Sequence, residues 1–289
     1  MRLETVSLSV GAEASFRALL SSDNHLCRCD ASEAARDPRK AELARKRSGV
    51  FPAAEPSFAA FSALVRSRPG ELLLHAGDLS DFVSGANLAA AAAFWREAGE
   101  GRPVLAAPGN HEFSLYVGEA PEDEAYKAQS AGRVRAAWPN DLPLASLVHG
   151  GVLFVALDNA YYLVSEAQRA AFRREAARGL PTVLLCHNPF WEEDLAEKTL
   201  ADAHGRAAFL CGAPDAALAR FSDRRAASVQ APDATTRAFL ADLRATPGLR
   251  AVLAGHVHRF HAGELFPGVP QICSGAGFRG EATELLFHD

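Results

Sequence analysis

An α/β fold made of two packed mixed β-sheets with helices outside is predicted by three features of this 289-residue chain. Short apolar runs of strand length end in polar motifs, stretches of helical period separate the first of those runs, and hairpin-like strand pairs come later. Helix-linked strands pair in parallel and hairpins pair antiparallel, so sheets containing both kinds of pairing follow.

The elements follow from local chemistry. Phe16 to Leu20, Leu72 to Leu74, Val104 to Ala107, Val183 to Leu185 and Ala251 to Leu253 are compact apolar runs that read as buried strands. Phe58, Phe61 and Val65 recur at helical spacing, as do Leu88, Ala91, Ala92 and Trp95, which predicts two crossover helices pressed onto a sheet. Pro121 before Glu122, Asp123 and Glu124 marks a helix start, because proline fits a first turn and carboxylates favour the positive end of the helix dipole. That helix should run towards Trp138. Leu147 to His149 and Val152 to Leu157 flank Gly150-Gly151 and predict a tight hairpin. Ser165 and Gln168 form a capping box, Arg173, Arg174 and Arg178 fill the closing turns, and Gly179 stops a helix of about residues 165–178. Gln271 to Cys273 and Thr283 to Phe287 give two further strands.

With no repeat, low-complexity tract or long linker, a single domain over residues 1–289 is expected. Residues 26–56 and 190–232 fit the plan poorly and are expected to be loop or cap insertions, placed where loops carry specificity. A formal charge of -5 and a pI near 6.1 give no overall field to gather nucleic acid or an anionic membrane. Met1 to Val6 lacks a signal-peptide core and no later stretch reaches membrane-span length, so a cytoplasmic protein with no membrane partner is expected. Cysteines at 27, 29, 186, 211 and 273 are odd in number and scattered, which argues for reduced thiols; the Cys27/Cys29 spacing is not that of a zinc knuckle.

Five motifs close the five strand-like runs: Asp23-Asn24-His25, Gly77-Asp78-Leu79-Ser80-Asp81, Gly109-Asn110-His111-Glu112, Cys186-His187-Asn188-Pro189 and Gly255-His256-Val257-His258. Groups that end strands of an open sheet converge on its carboxyl edge. Alone, each motif reads as turn chemistry or a satisfied polar group; together they supply carboxylate, imidazole and amide ligands for two metal ions. Two adjacent cations need a bridging anion, for which Asp78 is the natural choice, and mixed Asp, Asn and His donors suit zinc, manganese or iron. Arg259 and His261 read as a solvated loop, and Arg36, Arg39, Lys40, Arg45, Lys46 and Arg47 as a solvated helix face.

Carrying all five motifs in order from Asp23 to His258, the chain resembles the calcineurin-like metallophosphoesterases over nearly its whole length. The resemblance implies a four-layer α/β/β/α sandwich of two mixed sheets flanked by helices. It implies that Asp23, His25 and His258 bind one divalent transition metal, that Asn110, His187 and His256 bind a second, and that Asp78 bridges them. It also implies that His111 is the catalytic histidine beside the scissile phosphate, and Asp81 matches the carboxylate that orients it in several members. Phe82 and Pro108 stand where protein phosphatases of this family carry arginines, and Asp81 where purple acid phosphatases carry a tyrosine.

The implied reaction is phosphate-ester hydrolysis by a hydroxide held between two cations, with Asn110 offering N–H donors to phosphate and protonated His111 facing the leaving oxygen. Small phosphate esters or nucleotides, monoesters or diesters, are the expected substrates. Phe190 and Trp191, just after the His187 motif, are candidate substrate contacts. A nuclease reading is favoured if the basic segment near Arg39 faces the metals. A non-catalytic scaffold would be favoured by lost ligands, and none is lost.

Overall fold

The computed structural model describes residues 1–118 and 123–289, so Pro121 and Glu122 lie outside the described residues. Among the described residues eleven strands form two sheets: β1 (Arg2–Ser9), β2 (Phe16–Ser21), β3 (Leu72–His75) and β4 (Val104–Ala106), then β5 (Leu144–His149), β6 (Val152–Leu157), β7 (Thr182–Cys186), β8 (Leu249–Ala254), β9 (His261–Phe266), β10 (Val269–Cys273) and β11 (Glu281–His288). The first sheet runs β1-β11-β2-β3-β4, the second β5-β6-β7-β8-β10-β9. The central neighbours β2, β3 and β4 are parallel, as are β6, β7, β8 and β10, while β11–β2, β5–β6 and β9–β10 are antiparallel.

Among the described residues ten α-helices accompany them: α1 (Ala31–Arg36), α2 (Pro38–Val50), α3 (Ala54–Ser67), α4 (Gly85–Ala98), α5 (Glu124–Ala137), α6 (Glu166–Ala176), α7 (Glu193–Asp202), α8 (Asp215–Leu218), α9 (Arg224–Val229) and α10 (Ala234–Arg244). The predicted capping box at Ser165 and Gln168 is present, and α5 begins behind an Asp123 N-cap whose side chain accepts the Tyr126 N–H.

Strand alternation builds the layers. On β3, Leu72 and Leu74 join the core between the sheets while Leu73 faces outward to Phe61, Val65 and Trp95 of α3 and α4. On β6, Val152, Phe154 and Ala156 point to the same inter-sheet core, whereas Leu153, Val155 and Leu157 meet Phe172 of α6 and Phe239 of α10. Both faces of these strands are covered, which is why their sequences are continuously apolar. The result is the four-layer α/β/β/α sandwich.

Residues 26–56 and 190–232 differ from the expected loops. They hold α1, α2 and the start of α3, and α7 to α9, respectively. The basic run is not wholly solvated either. Lys40 is buried, donates to the Leu115 carbonyl and sits 4.0 Å from the Tyr116 ring centroid. Arg47 turns inward to Asp81. All five cysteines are free thiols. Among the described residues no helix is long and apolar enough to cross a membrane.

Candidate metal centre

The parallel strands β2, β3 and β4 of the first sheet end at Asp23/His25, Asp78 and Asn110/His111; β7 and β8 of the second end at His187 and His256/His258. Neighbouring strands that stop on the same side bring these groups together. Backbone bonds weld the loops: Asp23 N–H to Gly77 O at 2.9 Å, His25 N–H to Asp78 O at 3.0 Å, and Gly255 N–H to His187 O at 3.0 Å. The His256 N–H donates to Asp23 Oδ2 at 2.9 Å and so ties one sheet to the other. The approach is close. A Cβ at Gly109 would run into the Asp78 carboxylate, and one at Gly255 would lie 2.5 Å from Ser22 Cβ.

Side-chain donors converge as two overlapping groups. Asp23 Oδ1 lies 3.4 Å from His258 Nε2 and 3.8 Å from His25 Nε2. Asp78 Oδ2 lies 3.1 Å from His187 Nε2 and 3.9 Å from His25 Nε2, placing it between the groups. His187 Nε2 is in turn 3.2 Å from Asn110 Oδ1 and 3.0 Å from His256 Nδ1. Asp23, His25 and His258 form one set able to hold a cation, and Asp78, His187 and His256 another.

The far nitrogen of most of these rings is anchored. His25 Nδ1 meets Asp81 Oδ1 at 2.9 Å, His187 Nδ1 meets the Ala76 carbonyl at 2.6 Å, and His256 Nε2 meets the Tyr162 hydroxyl at 2.7 Å. A proton held on the outer nitrogen leaves the inner lone pair free for a cation. For His256 this means Nε2–H donating to Tyr162, with Nδ1 facing inward. Tyr162→Phe removes that acceptor and should weaken metal binding by about 10–100-fold, the usual scale for such supporting bonds. Calorimetric metal titration checks this, and unchanged affinity would show that packing alone orients the ring.

Charge favours cations here. Arg47 grips the Asp81 carboxylate with Nε 2.6 Å from Oδ2, but among the described residues the ion pairs of Asp23 and Asp78 are with imidazoles alone. Although burial opposes ionisation, His258 holds Asp23 and His187 holds Asp78 well below the usual carboxylate range. Burial disfavours the charged form of His187, yet Asp78 and Asp23 push its pKa up to about 9. Burial, followed by His187, depresses His256 to about 3. Asp23 Oδ1 is buried without a hydrogen-bond partner. Two buried carboxylates, an orphaned oxygen and inward-facing imidazole nitrogens are a donor set that fits divalent transition metals, which displace a proton from His187 on binding.

His111 stands beside this cluster. Its Nδ1 meets the Asp81 carbonyl at 2.7 Å, and its backbone N–H donates to Asp78 Oδ1 at 2.9 Å. The Asp81 carboxylate is 3.3 Å from His111 but 2.9 Å from His25, so it supports both rings, with the main chain making the shorter bond to His111. Burial opposes protonation of His111, and the Asp78 and Asp81 charges override it and raise its pKa. Glu112, singled out by no role in the sequence, joins two motifs by accepting the N–H groups of Asp78 and Gly109 at 2.7 Å and of Ser80 at 3.0 Å.

A cavity of about 390 Å³ opens over Asp78, His111, His256 and His258. Its outer wall comes from the second insertion, through Thr199, Asp202, Ala203, Arg206 and Phe209. Phe190 and Trp191 are not there. Phe190 is 1% exposed, packed 6.2 Å from the Phe239 ring, and both residues border a separate depression with Leu240 and Arg244. Pairing of the Phe190 N–H with the Gln271 side chain at 2.8 Å turns that segment into the core. His261, expected in a solvated loop, is buried and bonded to Glu192 at 2.7 Å.

Backbone strain marks the same place. Eight non-glycine residues among those described have positive φ, and five are Asp23 (55°), His25 (50°), Asp78 (55°), His256 (68°) and His258 (52°). Two more, Tyr162 (63°) and Phe209 (59°), lie against His256. Such conformations cost about 1–3 kcal/mol each and persist at sites where the surrounding structure imposes them.

The sequence profile of the calcineurin-like phosphoesterases matches residues 16–260, and the chain belongs to that family. It is therefore a metal-dependent phosphoester hydrolase, and the family implies a dinuclear divalent-metal centre. A purple acid phosphatase from yellow lupin (Lupinus luteus) seeds shares the fold at 13% identity and a TM-score of 0.51, over 93% of this chain and 45% of that one. This chain thus spans less than half the length of the lupin protein. Similar solved structures include a dimetal phosphatase from Danio rerio, at 14% identity, a TM-score of 0.45 and coverage of 91% and 88%. Another is the phosphopantetheinyl hydrolase from Mycobacterium tuberculosis, at 16% identity, 0.44 and coverage of 93% and 92%. No curated protein matches the chain significantly.

Proposed function

We propose that the chain hydrolyses small phosphate monoesters or diesters, nucleotides among them. Asp23, His25 and His258 would hold one manganese, iron or zinc ion, Asn110, His187 and His256 a second, with Asp78 shared. The observation that carries this reading is the pair of buried, ionised carboxylates, Asp23 and Asp78, whose ion pairs among the described residues are with imidazoles alone, at 3.1 to 3.9 Å. Divalent ions bound there would supply an activated water and neutralise charge on the phosphoryl oxygens. The chain's own groups do the rest. Asn110 would present its amide N–H to a phosphoryl oxygen, and His111, fixed through Nδ1 and lining the cavity, would protonate the leaving oxygen through its other nitrogen. A nuclease reading needs free cations beside the centre, but Arg47 is engaged by Asp81 and Lys40 by the Leu115 carbonyl.

Chelated protein should be inactive and regain activity as about two equivalents of manganese, iron or zinc return, the stoichiometry of a two-metal hydrolase. Assay on bis-p-nitrophenyl phosphate, p-nitrophenyl phosphate and cyclic nucleotides checks both metal and ester class. Inactivity on all of them with every metal restored would overturn the proposal.

A further inference from the structure

We infer that the ring of Phe209 is a stacking wall and that the esters taken by this site carry a planar aromatic group. The inference rests on the phosphoesterase reading above and extends it to the part of the substrate remote from phosphorus. The cavity of about 390 Å³ is much larger than a phosphate needs, so the esterified group must occupy what remains above His111 and His256. The wall it meets is mainly apolar: Phe209, Val257 and Ala203, with the Arg206 guanidinium at the rim in an ion pair with Asp223 at 3.1 Å.

Among the described residues Phe209 is the aromatic ring on that wall. It is partly buried against the core below, and its ring centroid lies 6.2 Å from that of His256 at an interplanar angle of 70°. One edge is therefore set by the candidate metal centre while the ring still borders the cavity. Its φ of 59° is rare for a bulky aromatic residue, and such outliers are kept where position matters. A sugar would demand several free donors and acceptors, and this wall is poor in them. The Thr199 hydroxyl donates within its own helix to Leu195 O at 3.0 Å, and Asp202 is paired with Arg259 at 2.6 Å. A planar π-system needs only a face to lie against.

The test compares metal-loaded wild-type protein with Phe209→Leu, which keeps apolar bulk but removes the flat face, and with Phe209→Tyr, which keeps both. Substrates are adenosine 5′-monophosphate, phenyl phosphate and β-glycerol phosphate, each also as its methyl diester. The ratio of kcat/KM for the aromatic esters to that for the glycerol ester should fall about 10-fold or more in Phe209→Leu and survive in Phe209→Tyr, as expected for loss of one stacked ring. A fall confined to the adenosine ester identifies a nucleobase; a fall for both aromatic esters identifies aryl groups in general. Equal losses on all esters, or the same loss in Phe209→Tyr, overturn the inference. Calorimetric binding of adenosine 5′-monophosphate to the three proteins gives a readout independent of turnover. If the wild type hydrolyses nothing, the proposed function fails, and the stacking wall stands or falls on whether Phe209→Leu weakens binding and Phe209→Tyr does not.

Discussion

Asp78→Asn will lower kcat/KM for phosphate esters by about 10³-fold or more, the scale on which a principal electrostatic element is lost from a hydrolytic site. The substitution is close to isosteric. Its amide oxygen can still accept the His111 N–H that now reaches Asp78 Oδ1 at 2.9 Å, so the loop should hold its shape. What disappears is the negative charge 3.1 Å from His187 and 3.9 Å from His25. Without it the two ligand groups no longer share an anion, and repulsion between neighbouring cations goes unscreened. Metal analysis should therefore show occupancy falling from two ions to one or none. The metal-free variant should be less stable than wild type at neutral pH, because the charge that His187 holds ionised is gone and a buried imidazolium loses its partner. Added metal should then produce little of the rise in melting temperature expected for wild type. Full double occupancy in Asp78→Asn would assign the bridge elsewhere.

His111→Ala should leave metal content intact while lowering kcat by on the order of 10²-fold or more on esters with poor leaving groups. Geometry separates its role from that of the ligands, since it belongs to neither the Asp23, His25 and His258 group nor the Asp78, His187 and His256 group and borders the cavity beside them. On p-nitrophenyl esters, whose leaving group needs little protonation, the loss should be much smaller. Equal losses on both substrates would identify His111 as a positioning or charge-stabilising group and remove it as the proton donor.

The strands that build the centre were legible because both their faces are covered. Leu72 to Leu74 and Val152 to Leu157 had to be apolar throughout, and the polar residues that interrupt such runs are the ones at their carboxyl ends. Of the edge strands, β4 and β5 were legible but β1 and β9 were silent. In β1 only Leu8 is fully buried, so Arg2 to Ser9 has no strong alternation to find. The helix α2 was misread for a related reason: its inward face is made of Lys40, Ala44 and Arg47, residues whose long stems pack while their charges find local partners. Proximity in sequence also misled. Phe190 follows a motif histidine directly but turns into the core, whereas Phe209 returns to the centre through the fold of the insertion.

The left-handed backbone at Asp23, His25, Asp78, His256 and His258 makes this centre hard to transplant. Copying its side chains onto another pair of sheets would carry the donor atoms but not the turns that aim them, because an aspartate or histidine left to itself avoids those angles. Glycine or asparagine would settle there more readily, so a chain under selection for folding alone would drift towards them. Keeping five acids and imidazoles in those conformations is a standing load on the scaffold, opposed to the fold's own preferences and sustained by the bonds between the loops.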